Sequence, residues 1–301
     1  MITVAGTGAN AVVAAVAAQD FKLLLMDPTS LRGHPALINY ARMPGYGGLT
    51  GNVVLFGLEG YDLMVSTSEG STTSETALSS ALKSLTVAAR HLRRDLSDIM
   101  AAVDPTGALN PTVLARDGFA SAMHTLTSLI AALASGFSVQ VGSTGVDFDH
   151  DLFMAAKSAL IVAQVPGPYL SVMWPQHFAD WTTDLESRQG VTQWAPANAA
   201  MQVLKGPGYK GSYDGVDIFV SDKCPASGSD RISMMIGKGA VAYGEQTVNY
   251  PQSAIILFAS GPVACEEVRN GNGAATSIIT HYYVGVTEVQ DAAGVGMLAT
   301  G

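Results

Sequence analysis

One long apolar stripe constrains the fold of this chain more than anything else in its sequence. Across residues 111–136, Phe119, Met123, Leu126, Ile130 and Leu133 recur every three or four positions, which predicts a helix of about seven turns with one apolar face. Pro111 suits a first helical turn, where its missing amide hydrogen has no partner to lose, and Gly136 is a natural stop.

The rest of the chain reads differently. Beyond Gly206, β-favouring runs at 216–220, 232–236, 254–258, 277–289 and 295–298 are separated by Gly, Pro, Asn and Asp turns. Between the long helix and these strands, Asp147 or Asp149 can cap a helix ending at Val162. Residues 169–174 then read as a short strand, and Pro175 opens a helix to Leu185. Residues 81–100 are two-sided: Leu82, Leu85, Val87 and Ala89 partly alternate like a strand, whereas Leu92, Leu96, Ile99 and Met100 fall at helical spacing. A strand running into a short helix satisfies both halves. Upstream, 51–65 reads as short strands broken by Gly57 and Gly60, and the Ser-, Thr- and Glu-rich stretch 66–80 as an exposed loop. Residues 9–18, nearly all Ala and Val, read as a short helix in an N-terminal arm. The class is mixed α+β, without a repeat of fixed period or a clear linker.

Composition bears on what such a chain meets. Only 14% of the 301 residues are charged against 48% hydrophobic, well below the globular average of about 25% charged. Either much of the surface meets other protein, or a monomer covers itself with Ser, Thr and Asn. The net charge of −9 disfavours a sequence-independent grip on phosphates. Met1 and the next 17 residues carry no Lys or Arg, as a secretory signal would need, and no uninterrupted apolar run is expected to span a membrane. Cys224 and Cys265 have neither zinc-site spacing nor disulfide density, so both are expected to be buried, in a reducing compartment.

Several motifs invite chemistry. Ile2-Thr3-Val4-Ala5 followed by Gly6-Thr7-Gly8 and ending at Asp27 matches a dinucleotide-binding start, yet 30–65 is turn-rich and lacks the crossover helix of a further βαβ unit. The six histidines are scattered and none forms a two-His face at spacing four. Asp147, Asp149, His150 and Asp151 could attract a divalent cation but read better as helix caps. No nucleophile elbow or phosphate-binding loop occurs. Arg90, Arg93 and Arg94, beside His91, are the one basic concentration; they read as possible contacts to acids on a neighbouring subunit or as a solvated face with local ion pairs.

The order of these elements resembles that of tailed-bacteriophage major capsid proteins with the Hong Kong 97-like fold. The helix 111–136 is similar to that family's spine helix, and the preceding 51–100 to its extended loop. The stretch from Phe148 through Pro166-Gly167-Pro168-Tyr169 to Trp174-Pro175 is similar to the opening of its axial domain. Gly215-Val216-Asp217-Ile218-Phe219-Val220 and Ile236-Gly237-Lys238-Gly239 look like later strands and a small-residue segment. His281-Tyr282-Tyr283 and Gly294-Val295-Gly296 look like its closing strands. The resemblance implies an α+β fold with an N-terminal arm (1–47), an extended β loop (48–104), a spine helix and peripheral domain (105–142), an axial domain (143–275) and closing strands (276–301).

It further implies a non-enzymatic major capsid protein of the virion, assembled in the host cytoplasm. Other copies of the chain, in hexamers and pentamers, would be its main partners, with scaffolding, portal and decoration proteins beside them. The shell would enclose double-stranded DNA without reading its sequence, and no catalytic residue, cofactor, metal or membrane is expected. The alternatives left open are an encapsulin-like compartment shell and an NAD-dependent oxidoreductase built on Gly6 and Gly8.

Overall fold

The computed structural model describes residues 31–41, 50–56, 80–98, 111–188, 194–205, 208–246, 256–260, 262–271 and 273–301. The expected helix at 9–18, the segment of Gly6 and Gly8, and the loop at 66–79 lie outside the described residues.

The long helix forms as expected: α1 (Pro111–Ala132) continues into a single 3-10 turn, Leu133–Ser135. Phe119, Met123, Leu126 and Ile130 are all buried, so the stripe is the inward face. Each such side chain contributes about 1.5–3 kcal/mol of burial free energy, opposed by lost chain entropy. By length and composition Asp117–Ser135 could cross a bilayer, although Ser121, His124, Thr125, Thr127 and Ser128 keep it from being an uninterrupted apolar run. Its apolar stripe, however, is occupied by this core.

What α1 covers is β15 (Ala275–Glu288), the central strand of a six-stranded sheet. A Cβ on Gly118 would overlap the Thr280 side chain, so this helix position can approach the strand only as glycine. Along β15 run two antiparallel partners, β4 (Ala88–Ser97) and β14 (Val263–Asn270), and its C-terminal end pairs with β12 (Val241–Glu245). β1 (Ile38–Ala41) lies parallel to β12, and β13 (Ile256–Ser260) flanks β14. β4 is strand through Ser97 instead of turning helical at Leu92, because β15 offers it ten residues of ladder, from Val284 opposite Ala88 to Ala275 opposite Ser97. Ile99 and Met100 lie outside the described residues.

Ahead of β4, β2 (Thr50–Phe56) and β3 (Ser80–Thr86) pair antiparallel in full register. At the junction of β3 and β4, Leu85 and Val87 are buried within the subunit itself, Leu85 against Ile38, Ala242 and Val289. Gly285 accepts the bend closely, since a Cβ there would overlap the Thr86 carbonyl oxygen.

A second sheet has eight strands. Its path runs β5 (Gln140–Gly142), β16 (Gly294–Thr300), β11 (Asp230–Ile236), β6 (Tyr169–Met173), β9 (Val216–Val220), β8 (Tyr209–Tyr213) and β7 (Trp194–Pro196), with β10 (Ala226–Ser227) on β11. The β5/β16 and β6/β9 pairs are parallel, the rest antiparallel. α2 (His150–Val162) buries Phe153, Ala156 and Leu160, and α3 (Pro175–Ser187) buries Trp181 and Leu185. The short α4 (Ala199–Lys205) precedes β8. One continuous apolar core joins both sheets. Each sheet draws on discontinuous segments: the first takes strands from 38–41, 88–97 and 241–288, the second from 140–236 and 294–300.

Candidate assembly surface

β4 decides where the basic cluster points. Successive side chains of a strand face opposite sides, so Arg90 and Arg94 share the side of α1 while His91 and Arg93 lie on the outer side. Arg94 Nε donates to Asp117 Oδ2 of α1 at 2.9 Å. Arg93 Nε donates to Asp95 Oδ1 at 2.7 Å, and Ser277 Oγ donates to the same oxygen at 2.6 Å. Those two hydrogen bonds, Arg93's first, hold the Asp95 carboxyl below its ordinary range. Arg90 is exposed. The expected cluster therefore splits: two arginines engage acids of their own chain, and Arg90 stands at the surface. Both pairs are about half exposed and screened by water, so neither adds much to subunit stability.

Sequence reasoning missed the arrangement beside them. His91 Nδ1 lies 2.7 Å from His281 Nδ1, and His281 Nε2 lies 2.9 Å from Glu266 Oε1 of β14. The pairing follows from strand register alone, and no local signal announces it.

Also unannounced is a clamp formed by residues 32–34. Arg32 Nη2 reaches Glu245 Oε2 of β12 at 2.8 Å, and Tyr282 Oη donates to Glu245 Oε1 at 2.7 Å. Two residues on, His34 Nδ1 accepts the Ala36 amide hydrogen at 3.2 Å, which leaves Nε2–H to donate to Asp217 Oδ2 of β9 at 3.1 Å. Lys205 Nζ reaches the same Asp217 oxygen at 2.7 Å. Burial alone would raise the Asp217 carboxyl, but the hydrogen bonds from His34 and Lys205 outweigh it and hold it at about 2. One short segment thus grips both sheets.

Other polar groups are structural. Asp149 Oδ1 caps α2 through the Leu152 amide at 2.7 Å, Asp184 accepts the His150 amide at 2.8 Å, and Asp151 pairs with Arg188 at 2.7 Å, so within the acidic cluster Asp149 is the helix cap and Asp151 an ion-pair partner. His177 and Ser233 lie 2.7 Å apart like a catalytic pair, but both are wholly buried and His177 Nε2 donates to the Ala299 and Thr300 carbonyls. Burial pushes the Cys224 thiol up to about 12 and Cys265 to about 11, which suits the buried, unreactive cysteines expected. Among the described residues no group of three His, Cys, Asp or Glu side chains converges on a metal position. A cleft of about 370 Å³ opens between α1 and β9, walled by Leu31, Phe119, Met123 and Phe219 with His124 and Asp222 at its rim.

Neither a family model nor a curated protein matches this chain by sequence. Solved structures do match by shape. The capsid of Ralstonia phage GP4 aligns with a TM-score of 0.63 at 12% identity, covering 88% of this chain and 87% of that one. The head structure of Helicobacter pylori bacteriophage KHP40 aligns at 0.59 and 8% identity, covering 91% of each. The holo-SrpI encapsulin complex of Synechococcus elongatus aligns at 0.58 and 13%, covering 87% and 84%. The chain has the Hong Kong 97-like capsid fold shared by these shells.

Proposed function

We propose that this chain is the major capsid protein of a tailed bacteriophage, a structural subunit of the virion and not an enzyme. The observation that carries this reading is the agreement of the whole architecture, over roughly nine-tenths of both chains, with phage heads. On this reading the six-stranded sheet with α1 is the peripheral domain, the eight-stranded sheet with α2 and α3 is the axial domain, the β2/β3 hairpin leads into the extended loop, and the arm expected over 1–47 is confined to the part before the clamp at 32–34, because β1 belongs to the six-stranded sheet. The low charged fraction supports it, because a plate whose loop and arm lie on neighbours needs less charge of its own. Copies would assemble as hexamers and pentamers in the host cytoplasm, with scaffolding, portal and decoration proteins as further partners. Arg90, and Arg93 and Arg94 after exchanging partners, would meet acids of an adjacent subunit. DNA would be enclosed without being read.

A compartment shell is the second reading, favoured by the comparable match to the SrpI encapsulin. Negative-stain microscopy of protein expressed alone or with the neighbouring phage genes tests the first step: closed shells or capsomer rings are expected, and a monomer under every salt and partner condition would remove both readings. Shells that enclose DNA favour the head, whereas shells filled with an enzyme favour the compartment.

A further inference from the structure

We propose that His91 and His281 form a two-imidazole site for a divalent transition-metal ion, with Glu266 orienting one of the rings. The two histidines are direct partners in the antiparallel ladder of β4 and β15, where opposed Cβ atoms lie about 4.5–5.5 Å apart. Their Nδ1 atoms meet at 2.7 Å with the rings at 82°. Two nitrogens in such contact share one hydrogen, so one lone pair is already aimed at the space between them, and when an ion enters the shared hydrogen passes through water to His91 Nε2, which frees the second lone pair. On its other side, His281 points Nε2 at Glu266 Oε1, 2.9 Å away. A neutral imidazole that gives its Nε2 hydrogen to a carboxylate keeps its Nδ1 lone pair for a metal, which is the outer-shell arrangement that fixes tautomer and ring direction at histidine metal sites.

The geometry needs little adjustment. With metal–nitrogen bonds of about 2.0–2.1 Å, two ligands of a tetrahedral ion stand about 3.3 Å apart, so the contact must open by less than an ångström, which rotation of the exposed His91 side chain supplies. The ring of Tyr283 stands edge-on to His91 with centroids 6.5 Å apart and limits that rotation. Arg93, next along the same face, has its charge met by Asp95 at 2.7 Å. Water completes the coordination. Imidazole ligands suit Zn²⁺, Ni²⁺ and above all Cu²⁺. A bound ion would link β4 to β15 at the root of the hairpin, and because the ligands are 190 residues apart in sequence it binds only the folded chain.

The test uses the full-length protein, stripped with EDTA and titrated with Cu²⁺ alone, followed by calorimetry and by electron paramagnetic resonance. One ion per chain with two nitrogen ligands is expected. His91→Ala, at an exposed position, should keep the melting temperature measured in EDTA while lowering affinity on the order of 100-fold through loss of the second, intramolecular ligand. Glu266→Gln should lower affinity about 10–100-fold while leaving the two-nitrogen spectrum in place. Absence of binding, a spectrum without two nitrogens, or equal affinity in His91→Ala overturns the site, and unchanged affinity in Glu266→Gln overturns the orienting role.

Discussion

Arg32 and Glu245, 213 positions apart, form an ion pair of 2.8 Å whose carboxylate end is buried beneath Tyr282. With His34 on Asp217, this pair fastens residues 32–34 to β12 in one sheet and β9 in the other. Removing Arg32 leaves the buried Glu245 charge, among the described residues, with the Tyr282 phenol as its remaining hydrogen-bond donor. We expect Arg32→Ala to cost on the order of 2 kcal/mol, less than the about 3–5 kcal/mol of a fully buried pair, because a quarter of the Arg32 side chain meets water. Urea unfolding of the unassembled subunit measures this, and a midpoint equal to wild type would mean that the clamp does not contribute to stability.

The seam between α1 and β15 should tolerate change in neither direction. Leu126 is wholly buried, so Leu126→Ala should cost about 2–5 kcal/mol. Gly118→Ala adds a methyl where Thr280 already stands and should cost about 1–3 kcal/mol by pushing helix and strand apart. Thermal melts compare the two; a Leu126→Ala subunit melting within a degree of wild type would place that stripe outside the core.

Acid should loosen the C-terminal strand through His177. Burial lowers its proton affinity below the ordinary value of 6.5, more than its bonds to the Ala299 and Thr300 carbonyls raise it. The unfolded chain therefore holds the extra proton first, and stability is complete above about pH 6.5 and declines as pH falls toward the folded-state value. Urea midpoints between pH 7.5 and 5 should fall for wild type. His177→Gln, compared with its own midpoint at pH 7.5, should fall less; an equal slope would assign the acid sensitivity to other groups.

Arg90 separates assembly from folding. Exposed on β4, it should contribute nothing measurable to the melting of the subunit, so Arg90→Glu should leave the melting temperature unchanged. If it faces acids of a neighbour, the reversed charge replaces attraction with repulsion and shells should form at higher protein concentration or not at all. Light scattering follows assembly, and wild-type assembly by Arg90→Glu would remove this residue from the interface.

Local signals carried much of the fold. The α1 stripe, the Asp149 cap and Pro175 at the start of α3 each act within one or two turns, and each stands where spacing and capping rules put it. The helical reading of Leu92 and Leu96 failed for a geometric reason: a separation of four keeps two side chains on one face of a helix and on one face of a strand alike. Only the partner strand β15 breaks that tie. The same dependence hid the rest of the surface. Arg94 with Asp117, His91 with His281 and Arg32 with Glu245 are pairs made by register and packing across long stretches of sequence, so composition could indicate a basic patch without indicating what it touches.

Hydrogen exchange should resolve the hairpin region into two behaviours. The stretch 51–100, similar to the family's extended loop, divides in two, because β4 is laddered to β15 over ten residues and Leu85 and Val87 are buried within their own subunit. Amides of 88–97 that bond to β15 should exchange slowly in the free subunit, since releasing them means opening the six-stranded sheet. β2 differs: among the described residues it pairs with β3 alone, leaving one edge without a strand, and a two-stranded hairpin is marginal in water. Its amides should exchange quickly in the free subunit and slow by at least about tenfold in intact shells, where a neighbour covers them. Exchange measured by mass spectrometry in both states decides the matter. Protection of 50–56 that is equal before and after assembly would place the hairpin on its own subunit and remove it from the contacts that build a shell.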